Sequence, residues 1–224
     1  MPPWVRAASG SAIALLAGAG LLAWATDGFA VLTTDAARAR SVARAPVIVP
    51  VVAVRNSAGV IHDVLADRLS GTDRGDRADR TNGSADPAAR AVIVDFVYTS
   101  CTTLCSVLGS VYQELQREIL VHGASDRVRL LTVSFDVAGD TPERLARYGV
   151  MLGARADIWN LATPTSMGAR DTLLRTFGVQ VVPAGNGEWQ HNAALHIVSP
   201  QGKLVRIVEI NDVRGALAAA LAAR

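Results

Sequence analysis

The sequence predicts an α/β domain built on one mixed β-sheet with helices packed on both of its faces. Two apolar runs, residues 91–98 and 128–134, are typical of strands buried on both faces, and each is followed by a helical pattern. The C-terminal part has the pattern of two strands around a tight turn, followed by a last helix. This order predicts a parallel βαβ half joined to an antiparallel ββα half.

The N-terminal residues predict a membrane anchor. Arg6 precedes a run over 7–25 that has no charged residue, long enough for about one bilayer crossing at about 1.5 Å per residue. Because basic residues tend to stay in the cytosol, the rest of the chain is expected on the far side of the membrane. Residues 23–25 also match a small-x-small cleavage site, so a removed signal peptide is the alternative. We therefore expect an inner-membrane anchor over 1–30 with the folded domain in the periplasm, or a secreted periplasmic protein if Ala25 is cleaved.

Three segments separate the anchor from the first buried strand. Residues 31–46 are rich in alanine and arginine and are interpreted as a stalk. Residues 47–54 predict a strand that turns at 56–59, which indicates an N-terminal hairpin. Residues 63–90 are polar and lack apolar periodicity, so they predict a mobile surface insertion. The folded domain is accordingly expected to run from residue 47 to residue 224.

Helix boundaries after the insertion are indicated by capping residues. The helix that follows the first buried strand is expected to end around residues 122–123. Asp140 or Thr141 can cap the next helix, which has Pro142 in its first turn and an end near Gly153. The remaining predicted elements are a helix over 165–177, strands over 193–199 and 203–208, and a final helix capped by Asp212.

Composition limits the range of partners. The chain has 22 basic and 20 acidic residues, with a formal net charge of +2, and its arginines are scattered among aspartates. Such a distribution offers no basic face, so no nucleic-acid partner is predicted. Half of the residues are hydrophobic, which is enough for one compact core of ordinary domain size.

Cys101 and Cys105, the only two cysteines, form the candidate site. They lie where the strand over 91–98 gives way to a helical pattern, and a helix N-terminus favours the thiolate, which is both a nucleophile and a soft-metal ligand. Cβ atoms four residues apart on a helix are about 5–6 Å apart, whereas a disulfide needs about 3.8 Å, so Cys101 is expected just before the first turn. A structural disulfide is the alternative, although so short a loop stabilises weakly.

Asp95 lies inside the first apolar strand, before the cysteine pair. Desolvation raises the pKa of a carboxyl group held in such a strand, and the group could then pass protons to and from the second thiol. A hydrogen-bonded aspartate at a strand end is the alternative interpretation.

These residues carry a resemblance to known proteins. The order of elements and the placement of the cysteine pair resemble the thioredoxin fold and, more narrowly, the Sco/SenC family of membrane-anchored copper proteins. The narrower resemblance is carried by the CxxxC spacing of Cys101 and Cys105, by residues 136–143, which are similar to the family's Asp-Pro-x-x-Asp-Thr-Pro stretch, and by His191. His191 keeps the family's interval to the turn at 200–202.

The chain also departs from the family pattern. Thr102 and Ser106 stand where the family usually has prolines after each cysteine, and Val137 replaces the proline of the Asp-Pro pair. Gln190 precedes the histidine in place of the usual aspartate. Asp95 resembles instead the buried aspartate of thioredoxin itself.

The resemblance implies a copper chaperone that helps to assemble the binuclear copper centre of cytochrome c oxidase. The implied ligands of Cu(I) or Cu(II) are Cys101, Cys105 and His191, and the implied partner is the copper-binding subunit of the oxidase. Thiolates favour Cu(I), and an added imidazole lets a site retain Cu(II). His196 is expected to be a packed or surface residue within a strand.

The alternative function is a periplasmic thiol-disulfide oxidoreductase of thioredoxin type. Cys101 would be the attacking thiolate, Cys105 the resolving thiol and Asp95 the proton relay. Its client would be another periplasmic thiol protein, or the copper-ligand cysteines of the oxidase. A purely structural domain with a fixed disulfide is the third possibility.

Overall fold

The computed structural model describes residues 15–24, 33–66, 89–101, 104–185 and 188–223. The chain divides into two compact units, Met1–Ser41 and Val42–Arg224. The first unit contains helix α1, residues 15–24, and the start of helix α2, Thr34–Arg44. No described helix is both long enough and apolar enough to span a bilayer, and residues 1–14 and 25–32 lie outside the described part. The anchor therefore stays a prediction, and the predicted stalk is helical over α2.

The second unit contains a mixed eight-stranded sheet and a separate two-stranded hairpin. The strands of the sheet are β1 (Val47–Ile48), β2 (Ala53–Asn56), β3 (Ile61–Asp63), β4 (Ala91–Val97), β5 (Val128–Ser134), β6 (Trp159–Pro164), β9 (Leu195–Val198) and β10 (Lys203–Val208). The hairpin consists of β7 (Val181–Gly185) and β8 (Glu188–His191). The helices are α3 (Leu104–Val121), α4 (Pro142–Leu152), α5 (Met167–Phe177) and α6 (Val213–Ala222).

The order of strands in the sheet is β1-β10-β9-β4-β5-β6-β2-β3. Strands β4, β5 and β6 run parallel, and all other neighbours are antiparallel. This arrangement confirms the predicted mixed sheet with a parallel βαβ half and an antiparallel ββα half. All seven residues of β4 are buried, as expected for a central strand covered on both faces.

Successive residues of β4 point to opposite faces, and different helices cover the two faces. The phenol of Tyr112, on α3, donates to the carbonyl of Ile93, and the Phe96 ring packs against Phe177, on α5, with 5.1 Å between centroids. The large side chains that helix α3 buries, among its described residues, are Leu108, Tyr112, Leu115 and Ile119.

The predicted strand over 47–54 is wrong as a single element. It is split into β1, which pairs with β10, and β2, which pairs with β6. Pro50 lies between the two, and proline has no N–H to continue a ladder. The predicted hairpin turn is correct, because β2 pairs with β3 across residues 57–60.

The predicted surface insertion begins too early in the sequence. Its first residue, Asp63, ends β3, and the Val64 and Leu65 side chains are buried in the core. The polar composition of the whole segment did not indicate that these two adjacent side chains are buried. Residues 67–88 lie outside the described part of the structure.

Helix caps agree closely with the sequence, with small shifts. Thr141, not Asp140, caps α4, and Gly153 ends it in the left-handed region at φ 63°. Helix α5 begins at Met167, later than predicted, because the Ser166 side chain accepts from the Ala169 N–H. Asp212 caps α6 as predicted. Strand β6, the β7–β8 hairpin and the helical form of the stalk were not predicted.

Candidate functional site

Cys101 lies in the turn that joins β4 to α3. Its N–H donates to the carbonyl of Tyr98 at 3.2 Å, and its side chain is half-buried against the core. Because α3 begins at Leu104, Cys101 precedes the first helical turn, as predicted, and Cys105 lies within that turn. The side chain of Cys105 is outside the described part of the structure.

Cys101 and His191 line the same open pocket. The pocket has a volume of about 470 Å³, and its other lining residues come from the hairpin and its two ends: Gln180, Val182, Trp189, Gln190 and Asn192. The fold thus brings a turn after the first core strand next to a hairpin much later in the chain. Apart from the Cys101 thiol and the His191 imidazole, the lining side chains are uncharged at every pH near neutrality.

His191 ends strand β8 in a form suited to binding a metal. Its Nδ1–H donates to the carbonyl of Asn192 at 3.0 Å, and its Nε2 is buried with no hydrogen-bond partner among the described residues. Burial lowers the pKa of His191, so the imidazole is neutral at pH 7. Because the proton is on Nδ1, the free lone pair is on Nε2. A neutral histidine in this tautomer can bind a metal through Nε2.

Aromatic contacts set the orientation of the His191 ring. The Phe135 ring meets it edge-on at 5.2 Å between centroids, and the Tyr98 ring in turn packs against Phe135 at 5.4 Å between centroids. The Tyr98 hydroxyl also contacts the backbone of Trp189, at 3.2 Å from both its N and its O. These contacts hold β8 against the end of β4.

Asn192 closes the base of the hairpin. Its Oδ1 accepts from the N–H of Gln180 at 2.7 Å, and its Nδ2 donates to the carbonyl of Gly178 at 3.2 Å. Sequence reasoning missed this hairpin, although the Gly-Asn-Gly run at 185–187 is a turn signal of the kind that joins two strands.

Asp140 fixes the turn that carries Cys101. Its buried carboxylate accepts from the Thr99 N–H at 2.8 Å and from the Ser134 hydroxyl at 2.5 Å, and the Thr99 hydroxyl bonds to its other oxygen. The sequence suggested Asp140 as a helix cap, but the neighbouring Thr141 has that role. Of these two adjacent residues, Asp140 therefore holds the turn before Cys101 and Thr141 caps α4.

Asp95 is buried in β4 on the face covered by α3. Burial raises its pKa to about 7, against a smaller, lowering effect of the neighbouring Thr132 and Tyr112 hydroxyls. Its Oδ1 has no hydrogen-bond partner among the described residues. Asp95 is not among the described residues that line the pocket of Cys101 and His191.

His196 is a core residue. Its Nδ1 donates to the carbonyl of Val94 at 3.1 Å, and its ring meets the edges of Phe96 and Phe177 at 5.7 and 5.3 Å. This agrees with the expectation of a packed strand residue, and it leaves His191 as the histidine of the pocket.

The complete three-ligand set is not tested by the described side chains. Within them, no three histidine, cysteine, aspartate or glutamate residues come close enough to hold a metal ion. The Cys105 side chain lies outside the described part of the structure, so the three-ligand set stays a prediction, and two of its members, Cys101 and His191, line one pocket.

The mixed sheet, the covering helices and the cysteine turn after the first core strand define a thioredoxin-like α/β protein. Residues 75–224 match the model of the SCO1/SenC family, and the chain belongs to that family. It is 25% identical over 116 residues to the SCO1 protein homolog of Bacillus subtilis (strain 168). That match spans 51% of this chain and 59% of the relative, which is less than two thirds of its length.

Two solved structures show the same fold. One is BsSco, described as a member of the Sco family of cytochrome c oxidase assembly proteins, with a TM-score of 0.57, 20% identity and coverage of 77% of this chain and 94% of that one. The other is ScoI of Bradyrhizobium japonicum with copper bound, with a TM-score of 0.56, 16% identity and coverage of 76% and 96%. At these identities the likeness establishes the fold alone, and the predicted thioredoxin-like architecture is thereby confirmed.

Proposed function

We propose that the protein is a copper chaperone that holds Cu(I) or Cu(II) through Cys101, Cys105 and His191 and serves the assembly of cytochrome c oxidase. The observation that carries this proposal is the shared pocket of Cys101 and His191, with an imidazole Nε2 that is buried and has no described partner. Family membership supports it, as do one structural relative described as an oxidase assembly protein and another solved with copper bound.

The donor set suits copper as a cargo. Two thiolates and an imidazole are soft and borderline ligands, which fit Cu(I) and retain Cu(II). The hydrogen bond from Nδ1 to Asn192 fixes the tautomer that leaves Nε2 available. The Asp140 carboxylate holds the Thr99 backbone, so the turn that presents Cys101 is fixed independently of the metal.

The cellular setting is part of the proposal. An anchor over residues 1–30 would place the domain in the periplasm, where the copper-binding subunit of the oxidase, or another thiol protein, would receive the metal. In that oxidising compartment a dedicated reductant, or the metal itself, would keep the thiols from forming a disulfide.

Copper titration of the reduced full-length chain tests the proposal. We expect one equivalent of Cu(I) to bind, and the Cu(II) form to show a strong sulfur-to-copper charge-transfer band. His191→Ala should keep Cu(I) but lose that band, while His122→Ala, which changes an exposed imidazole just after the end of α3, near Glu118, should match the wild type. Wild-type Cu(II) binding in His191→Ala would contradict the proposed ligand set.

A second candidate function is thiol-disulfide exchange, which the buried Asp95 favours. The Cys101 thiolate would attack a client disulfide and release one client thiolate, and Cys105 would then attack the mixed disulfide and release the other. The client gains two electrons, the protein is left with a Cys101–Cys105 disulfide, and an external dithiol must reduce it again. Asp95 would exchange protons with the Cys105 thiol.

A further inference from the structure

Tyr98 contacts both halves of the candidate site. Its backbone carbonyl accepts the N–H of Cys101 at 3.2 Å, and its hydroxyl contacts the backbone of Trp189 on strand β8, two residues before His191. The hydroxyl donates to the Trp189 carbonyl and accepts from the Trp189 N–H, each at 3.2 Å. Tyr98 therefore links the turn that carries Cys101 to the strand that carries His191.

The hairpin is not part of the eight-stranded sheet. Strands β7 and β8 pair only with each other in the described sheets, and a two-stranded hairpin alone is marginally stable in water. In a strand the N–H and C=O of one residue point the same way, so both groups of Trp189 face the open edge of β8, away from β7. The Tyr98 hydroxyl occupies that edge in place of a neighbouring strand.

The contact is specific to the tyrosine. Because it is made to the backbone of Trp189, no substitution of the Trp189 side chain removes both hydrogen bonds directly, whereas loss of the Tyr98 oxygen removes them together. Strand β8 has further described supports: the Trp189 side chain packs partly buried against the core, Phe135 contacts the His191 ring, and Asn192 closes the hairpin base. None of them bonds to the open backbone edge of Trp189, which the Tyr98 hydroxyl occupies.

We propose that Tyr98 is a positioning residue that sets the separation between His191 and Cys101, and so determines whether the pocket retains Cu(II) as well as Cu(I). The proposal rests on the proposed copper function. Tyr98 does not line the pocket among the described residues, so it acts through β8 and not on the metal. Two thiolates can still hold Cu(I) when the hairpin moves, but Cu(II) retention needs the imidazole in place.

Tyr98→Phe in the reduced full-length chain tests this positioning role. Removing two hydrogen bonds of ordinary strength should weaken Cu(II) binding about tenfold, while Cu(I) affinity stays within about twofold of the wild type. The Cu(II) charge-transfer band and the EPR hyperfine splitting should also change, which a general loss of stability would not cause. Tyr148→Phe, which removes a phenol oxygen from α4 outside the pocket lining, is the matched control and should leave both affinities unchanged.

Amide hydrogen exchange on the metal-free protein gives a second readout. The Trp189 N–H should be protected in the wild type and in Tyr148→Phe, and should exchange faster in Tyr98→Phe. Wild-type Cu(II) affinity and spectra in Tyr98→Phe would overturn the positioning role and leave the copper function intact. Equal weakening of Cu(I) and Cu(II), or a Trp189 amide unprotected in the wild type, would also overturn it. A wild type that binds no copper would refute the proposed function, and the exchange measurement would still decide whether Tyr98 holds β8.

Discussion

Individual carboxylates in this domain differ sharply in environment. Asp95 is buried beside Tyr112 and Thr132, and its pKa rises from 3.8 to about 7. Asp140, equally buried, is surrounded by donors from Thr99 and Ser134. The first is poised to exchange a proton near neutral pH, and the second holds a turn. Sequence reasoning identified Asp95 because an aspartate inside an apolar strand before Cys101 resembles the buried aspartate of thioredoxin. It could not identify the donors that converge on Asp140 from Thr99 and Ser134, because tertiary packing brings these residues together.

The raised pKa of Asp95 predicts a pH-dependent stability. Its folded-state pKa exceeds the unfolded value, so its stabilising contribution is full below about pH 4 and is lost as pH rises through about 7. Relative to Asp95→Asn, the wild type should lose about 4 kcal/mol of unfolding free energy between pH 4 and pH 8. Urea denaturation of both proteins across this range measures the difference.

Asp157→Asn is the control for this measurement. Asp157 is exposed beside Arg155, which lowers the pKa of Asp157. The difference in unfolding free energy between the wild type and Asp157→Asn should therefore depend only weakly on pH, and with the opposite sign. A constant difference between the wild type and Asp95→Asn from pH 4 to pH 8 would contradict burial as the cause of the raised pKa.

Asp95 also provides the test of the oxidoreductase function. If it relays protons to the Cys105 thiol, Asp95→Asn should slow disulfide exchange with a small disulfide about tenfold or more at pH 7, within the usual range for general acid–base catalysis. Stopped-flow exchange kinetics of the reduced protein measure the rate. An unchanged rate and pH profile in Asp95→Asn, with Cys101 still reactive, would leave Asp95 a structural residue.

Among the elements, those with strong hydrophobic periodicity were predictable. Strand β5 and the caps of α4 and α6 agree with the sequence, because burial and capping follow local patterns. The β7–β8 hairpin escaped prediction because most of β7 is exposed and has no buried face to impose alternation. The hairpin is held in part by contacts with Tyr98 and Asn192, which no local sequence pattern indicates.

The adjacent residues Asp140 and Thr141 yield a prediction about elements. Thr141→Ala removes a helix cap from α4 and should cost about 1 kcal/mol of unfolding free energy. Asp140→Ala leaves the Thr99 N–H and the Ser134 hydroxyl without their acceptor and should cost about 3 kcal/mol. Chemical denaturation measures both values.

The two variants should also differ in the reactivity of Cys101 toward a thiol reagent. Asp140→Ala frees the turn and should alter the rate, while Thr141→Ala should not. Equal stability losses, with no change in thiol reactivity in either variant, would contradict the separate roles of the two residues.

At the scale of the whole molecule, copper binding should be visible as stability. A ligand that binds only the folded state at about 100 times its Kd adds about 2.7 kcal/mol to the unfolding free energy. Copper at this level should raise the Tm of the reduced protein, and a chelator should reverse the increase. Cys101→Ser should show no comparable shift, whereas His122→Ala should respond like the wild type. A shift of the same size in Cys101→Ser would indicate copper bound elsewhere.

The interruption at Pro50 has a consequence for solubility. Because the strand is interrupted at Pro50, the short stretch of residues 47–63 supplies the edge strands on both sides of the eight-stranded sheet. Strand β1 covers β10, and β2 with β3 covers β6. Detachment of that stretch would expose the backbone N–H and C=O groups of β10 and β6 at the same time, and such unpaired strand edges promote association between molecules. Damage to this stretch should therefore appear first as precipitation of the protein, while copper binding by the molecules still in solution persists.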